Sequence, residues 1–390
     1  LTFVEFVLQN SLQVLKPEGE TVKTRAAVMW NETGNYEIDE LELDAPREDE
    51  VLVRFDYAGL CHTDEHLRNG DLGFTPPMVG GHEGAGVIEE VGPGVRHLKP
   101  GDHFVTSWMP QCGRCRFCVT GQTNLCDNGQ YLMSGTMLDG TQRLHGRGRG
   151  VGAVDLLGTF AQWNVIPASC VVPLPAEMPL DKAAIVACGV PTGWGSAVNA
   201  ANTRPGDRIV IYGIGGIGIN AVQGASHAGA ELVVAVDPVK FKRDTALKLG
   251  ATHAFATAAE AHDFVWSETR GVGADAAIIT VGLVDKQVVT DGFAMIRKGG
   301  RLVITAVSSP DLLVEIPSFE LTLYQKQIVG SLFGSGNPHY DIPKLIDLYL
   351  RGSLKLDELI TTRYSLEDVN KGYDDMLAGK NIRGLLEISH

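Results

Sequence analysis

Four cysteines crowd into fifteen residues: Cys112, Cys115, Cys118 and Cys126, with spacing C-x2-C-x2-C-x7-C. Short spacers let one loop wrap a single ion, and four soft sulfurs suit tetrahedral zinc. Four thiolates leave no open position for a substrate, so the expected role is structural. Arg114 and Arg116 can offset the site's negative charge. An iron–sulfur cluster shares this kind of spacing. Four unliganded core cysteines are a third reading, against which the polar loop context of Gln111, Gly113, Gly121, Gln122 and Asn124 argues.

A second set is dispersed. Cys61-His62-Thr63-Asp64 ends an expected strand, Gly80-Gly81-His82-Glu83-Gly84 begins one, and Cys188 sits in Ala187-Cys188-Gly189-Val190-Pro191-Thr192-Gly193. Each is weak alone. A cysteine in an apolar helix is more often core than ligand, and His82 could be an ordinary loop histidine. His62 and His66, at i and i+4, could themselves form a metal pair. Spacing does not choose among these.

The third feature is Gly213-Ile214-Gly215-Gly216-Ile217-Gly218, a GxGxxG between an apolar strand and a helix. In that context the first glycine permits the tight turn, the second lets backbone approach a pyrophosphate, and the third lets helix pack on strand. Helix N-terminal N–H groups then meet the phosphate charge. Asp237 ends the next strand, 19 residues past Gly218. A carboxylate there accepts from both ribose hydroxyls and repels a 2′-phosphate, favouring NAD over NADP. The bland alternative is a turn aspartate before Pro238.

The elements that must position these groups follow from periodicity. Residues 24–30, 36–43, 50–60, 84–91, 102–108 and 160–167 read as short strands, with a helical insert at 62–68. Such strands, punctuated by Gly and Pro, predict a β-rich, barrel-like domain. From residue 180 the pattern changes. A helix is expected over 180–201, then strands at 207–212, 231–236, 274–281 and 300–307, alternating with helices at 217–228 and 240–249. That alternation predicts a doubly wound parallel sheet, so the fold class is α/β. Helices follow at 342–350 and 366–378, and a last strand at 384–389 is expected to return to the first domain. The expected division is an N-terminal extension at 1–22, a catalytic domain from 23–189 and 333–390, and a dinucleotide-binding domain at 190–332.

Composition narrows the function classes. The 390 residues carry 33 basic and 47 acidic side chains, a net charge of −14, so nucleic acid is not an expected partner. Arg143, Arg147 and Arg149 form the one basic cluster, read as a solvated loop without a stacking aromatic. No run of 18 apolar residues suggests a membrane span. Residues 1–8 are interrupted by Glu5, and the first basic residue is Lys16, unlike a secretory leader. The seven cysteines, odd in number and clustered, favour thiolate ligands over disulfides, and a cytoplasmic location is expected.

Taken together, GLCHTDEH (59–66), GGHEGAGVIEEVGPGV (80–95), the PQCGRCRFC…C segment (110–126), CGVPTGWG (188–195) and GIGGIG (213–218) resemble the zinc-dependent medium-chain alcohol dehydrogenase family. The resemblance runs from about Lys23 to the C-terminus. It implies a GroES-like catalytic domain and a Rossmann cofactor domain. It implies that Cys61, His82 and Cys188 bind a catalytic zinc, with Glu83 close by and Asp64 holding the histidine ligand. Cys112, Cys115, Cys118 and Cys126 then hold a second, structural zinc. Two thiolates and a neutral imidazole make a neutral zinc site with one position open.

The resemblance also implies that Thr63 contacts the reacting oxygen and that His66 ends a proton relay. His62 and Arg383 are implied near the pyrophosphate, Lys242 near the adenosine ribose, Thr192 under the nicotinamide, and Trp108 in the substrate pocket. The implied reaction is reversible hydride transfer between a small alcohol or aldehyde and NAD, in a homodimer or homotetramer whose candidate edge strand is residues 312–316. CGVPTGWGSAVNAA, NPHYDIPKL (337–345) and the loop 127–157 most resemble a bacterial subgroup with nitrosoaniline-coupled activity and tightly held cofactor. Two other readings are a thiol-adduct formaldehyde dehydrogenase, whose anionic anchor aligns with neutral Gln130, and a non-catalytic dinucleotide-binding protein. The second should lack some metal ligands, yet all seven are present.

Overall fold

Residues 22–390 are described in the structure, a computed structural model. The expected extension at 1–22 lies outside the described residues except for Val22, which already opens the first strand.

The strand Glu50–Gly59 is the hub of the first half. Val51, Val53 and Phe55 are fully buried along it. It pairs antiparallel with Glu83–Val91, Trp163–Pro167 and the returning strand Arg383–Glu387. His103–Thr106, Val171–Pro173 and Ile360–Ser365 complete a seven-stranded sheet. Beside it, Val22–Met29, Glu37–Leu43, Leu144–Gly146, Arg149–Ala153 and Met78–Val79 close a barrel. The β-rich half is therefore present, and the last strand does return to it.

The second half is a six-stranded sheet in the order His253–Phe255, Leu232–Val236, Arg208–Tyr212, Ala274–Ile279, Ile296–Ile304, Gln327–Gly330. Every neighbouring pair is parallel. Alternate residues face different cores: Ile209 and Ile211 pack with Ile219 and Val222, whereas Val210 and Tyr212 pack with Val265 and Phe293. Burial on both faces explains why these strands are apolar throughout. No described helix is long and apolar enough to cross a membrane.

Three expectations are corrected. The helix expected over 180–201 is broken: Leu180–Val186 ends, Cys188 takes φ −143° and ψ −70°, and Gly189–Gly195 begins anew. The basic cluster sits on a hairpin whose turn leaves Arg147 and Arg149 exposed, as expected, but Arg143 is not solvated. Arg143 is 2% exposed and paired with Glu50 and Asp139, and the Arg147 guanidinium lies 4.0 Å from the Trp30 ring centroid, so a stacking aromatic is present. Residues 312–316 form no strand; the sheet edge is Gln327–Gly330. The run is bracketed by Pro310 and Pro317, which cannot donate to a ladder, and Leu313 and Val314 stay exposed.

Candidate active site

Three chain segments meet at one buried point. Cys61 lies two residues past the hub strand, at the N-cap position of the helix His62–Asn69. His82 follows Gly81, whose φ of 84° favours glycine and turns the chain into Glu83–Val91. Cys188 occupies the helix break. Ligand atoms of Cys61, His82, Glu83 and Cys188 all lie within 4.8 Å of one another, and all four residues are buried. The alternative pair His62 and His66 is not assembled as a metal site. Their ring centroids are 6.4 Å apart, and both His66 nitrogens are engaged elsewhere.

The backbone around His82 is pinned. Thr106 Oγ1 donates to His82 O at 3.1 Å and accepts from Gly84 N at 2.9 Å. Asp64, fully buried, accepts from Gly81 N at 2.9 Å and places Oδ2 3.0 Å from His82 Nδ1. That arrangement leaves Nε2 free for a metal. The Cys188 thiol beside it, opposed by burial and helped by His82, holds the Cys61 thiol well below its ordinary value. The thiolate is the form that ligates metal. Two sulfurs and an imidazole within one ion's reach fit zinc, and the Glu83 carboxylate lies within the same span.

Glu83 is ion-paired with Arg383 in the interior. Burial pushes its carboxyl up to about 7, with Arg383 pulling the other way. Arg383, implied at the pyrophosphate, thus has a carboxylate partner already, although its side chain also lies against Gly216 and Gly189.

The four clustered cysteines converge as well, their sulfurs within 4.8 Å of one another. Cys112 and Cys118 sulfurs are 3.8 Å apart, matching the edge of ~3.8 Å that tetrahedral Zn–S bonds of about 2.3 Å would give. Cysteines each ligating a separate iron would stand further apart, so a single ion fits and an iron–sulfur cluster does not. Backbone N–H groups of Cys112, Cys115 and Cys118 point at the sulfurs of Cys126, Cys112 and Cys115 at 3.3–3.4 Å. Such contacts, from Asp127 and Cys118, hold the Cys115 thiol down to about 6.

A single cleft joins the buried point to the glycine motif. Cys61, His62, Thr63 and His66 line it together with Gly213, Gly215, Gly216, Ile217, Asp237, Lys242 and Arg383. Gly213 has φ 88°, and a Cβ on Gly218 would stand 1.9 Å from Gly213 O, so the turn needs both glycines. Nothing lies within 4 Å of where a Gly215 Cβ would be, leaving its backbone open to the cleft. Asp237 is held by Ile214 N and Val239 N, each at 2.8 Å. Burial lowers the proton affinity of His62. The buried Thr192 Oγ1 has no partner among the described residues. Thr63 Oγ1 is 3.7 Å from Cys61 Sγ.

Trp108 stacks on Phe333, ring centroids 4.5 Å apart, and packs with Met109 and Leu132 near the cysteine cluster. Gln130 is exposed. Asp155 escaped the sequence reading. It is 3% exposed, with Oδ2 3.9 Å from His82 Nδ1, and burial pushes its carboxyl up to about 7. No local motif marks it; only the fold brings it to His82.

Residues 47–176 match the alcohol dehydrogenase GroES-like domain, and residues 216–351 match the zinc-binding dehydrogenase domain. The chain is 56% identical over 366 residues to an NDMA-dependent alcohol dehydrogenase of Amycolatopsis methanolica, covering 94% of this chain and 99% of that protein. It is 47% identical over 370 residues to alcohol dehydrogenase B of Mycobacterium tuberculosis, covering 94% and 98%. The crystal structure of an alcohol dehydrogenase zinc-binding domain protein from Burkholderia ambifaria superposes with a TM-score of 0.89 at 32% identity, covering 95% of this chain and all of that one. With its metal-ligand geometry and glycine cleft in place, this chain belongs to the zinc-dependent medium-chain alcohol dehydrogenase family, oxidoreductases that act on alcohols with zinc and a nicotinamide cofactor.

Proposed function

We propose that this alcohol dehydrogenase holds two zinc ions per chain, uses NAD rather than NADP, and retains the cofactor tightly enough to recycle it in place. The observation that carries this reading is the continuous cleft from Cys61 and Thr63 to Gly215 and Asp237. When bound, zinc supplies Lewis acidity and the nicotinamide ring a hydride acceptor.

The chain's own groups do the rest. Cys61, His82 and Cys188 hold the metal, and Asp64 fixes the imidazole. Thr63 Oγ1 both accepts and donates a proton, so it can pass one on without becoming charged. His66 stands at the far end of that relay, with the partly exposed Asp71 at its Nδ1. Arg383, His62 and Lys242 give the cleft positive charge for a pyrophosphate and ribose, and Asp237 disfavours a 2′-phosphate. Thr192 faces the nicotinamide, and Trp108 narrows the substrate side. The catalytic part comprises residues 23–189 and 333–390, and the cofactor part 190–332.

Similarity to the NDMA-dependent relative supports an external acceptor that reoxidises the bound cofactor. The seven free cysteines suit a reducing, cytoplasmic setting. The open edge strand Gln327–Gly330 and the exposed Leu313, Phe319 and Leu323 beside it suit a homodimer or a tetramer built from it. Gln130 offers no positive charge to a thiol's carboxylate, which disfavours the thiol-adduct alternative. Native mass spectrometry with metal analysis on protein as purified tests the whole reading. Two zincs and bound NAD per chain are expected, with NDMA-supported alcohol oxidation needing no added NAD. A chain holding one zinc or none overturns it.

A further inference from the structure

Asp64 is not the only carboxylate behind the zinc ligand His82. Asp155 Oδ2 lies 3.9 Å from the same Nδ1, and both acids are buried. Among the described residues, Asp155 Oδ1 has no hydrogen-bond partner, and neither do His82 Nδ1 and Asp64 Oδ2. A buried carboxylate with an idle oxygen is costly unless a nearby charge or dipole needs it.

The backbone is equally unusual. Asp155 has φ 53° and Leu156 φ 66°, two successive left-handed residues that are not glycine. Such strain persists only where the surroundings over-determine it. Here Asp155 N donates to Leu132 O at 3.0 Å. Just beyond, Thr159 N and Phe160 N donate to Gly81 O and Gly80 O at 3.0 and 2.9 Å. The strained segment is therefore tied to the turn that carries His82. Nothing in that bonding requires an acid at position 155.

We propose that Asp155 is a second positioning residue for the zinc ligand His82. Nδ1 has one proton, and Asp64 Oδ2 stands nearest to it at 3.0 Å. Asp155 acts through space from the next closest position, so that the ring is bracketed by two carboxylates and Nε2 is kept on the metal. The inference rests on the metal reading of Cys61, His82 and Cys188, and it concerns how firmly that metal is held. Outer partners of a metal-bound histidine typically change metal affinity 10- to 100-fold.

The test uses the purified enzyme with its metals. Zinc release to a chelator is timed for wild type, Asp155→Leu and Asp155→Asn, counting the two sites separately. The cobalt-substituted forms are compared by their visible absorption bands. Asp155→Leu should lose the three-ligand zinc at least about 10-fold faster, with shifted cobalt bands and an unchanged four-cysteine zinc. Asp155→Asn, which keeps the volume but not the charge, should fall between. If Asp155→Leu fails to fold, Asp155→Asn decides by the same two readouts. Wild-type release and wild-type bands in the folded variant overturn the inference alone. A wild-type enzyme with no ion at the three-ligand site overturns the metal reading, and this inference with it.

Discussion

His66 and Gly282 are bonded across the cofactor cleft: the imidazole Nε2 stands 3.1 Å from the glycine carbonyl oxygen. The other ring nitrogen lies 2.9 Å from Asp71 Oδ2. Both neighbours are acceptors, so only the doubly protonated ring donates to both. The same side chain can then move a proton and fasten one wall of the cleft to the other. His66→Gln should lower alcohol turnover about 100-fold near neutral pH and speed NADH release. Stopped-flow NADH fluorescence checks the second effect, and unchanged release would mean the contact fastens nothing.

The two cysteine sets should be separable. Cys61→Ala removes one zinc and abolishes turnover while NAD binding persists, because the glycine turn is built elsewhere. Cys118→Ala removes the other zinc and lowers the melting temperature, and the three-ligand ion stays. Metal counts with NAD titration on each variant decide this. Retained turnover in Cys61→Ala would contradict the assignment of the open site.

Asp237 does two jobs. It faces the cleft, and its oxygens accept from Ile214 N and Val239 N. Asp237→Gly should cut the NAD-over-NADP preference in kcat/KM at least 10-fold and also lower stability by roughly 1–3 kcal/mol, since a buried N–H loses its acceptor. Paired kinetics with both cofactors and urea unfolding measure the two effects.

Arg383 and Glu83 form a buried ion pair 300 residues apart in sequence. Removing one partner leaves the other charge uncompensated. Arg383→Ala alone should cost about 3–5 kcal/mol, and adding Glu83→Gln should recover part of that loss. A double-mutant unfolding cycle reports the coupling, and strictly additive effects would show that the pair is not coupled.

The ion network at the Arg143 hairpin gives a pH dependence. Burial pushes the Asp139 carboxyl up, but the Thr141 hydroxyl and Arg143 outweigh it and hold it well below the ordinary 3.8. A depressed carboxylate stabilises the fold fully above that ordinary value, and the benefit disappears as pH falls through the lower folded one. The Asp139 side chain is 41% exposed, so solvent screening keeps the effect to about 1 kcal/mol or less. Asp139→Asn should therefore be less stable at pH 7, and the gap should begin to narrow below about pH 4. Urea midpoints of both proteins across pH 2–7 test the sign.

What could be read in the sequence was local. The glycine turn needs six consecutive residues, and the tetrathiolate lobe needs fifteen. Strand alternation located the hub strand to within one residue. Non-local facts stayed hidden. Apolar periodicity runs straight through Cys188 and masked the helix break, although Gly189 and Pro191 directly follow it. Arg143 looked solvated because its partner Glu50 is 93 residues away. Asp155 sits in a glycine-punctuated loop, where composition says nothing of the histidine it faces.

The break at Cys188 has a mechanical consequence. Two of the three donors come from the β-rich half, and the third begins the helix that packs against the glycine-motif helix. An ion seated there would join the end of the hub strand to the start of that helix. Stripping it would loosen that junction as well as silence the chemistry.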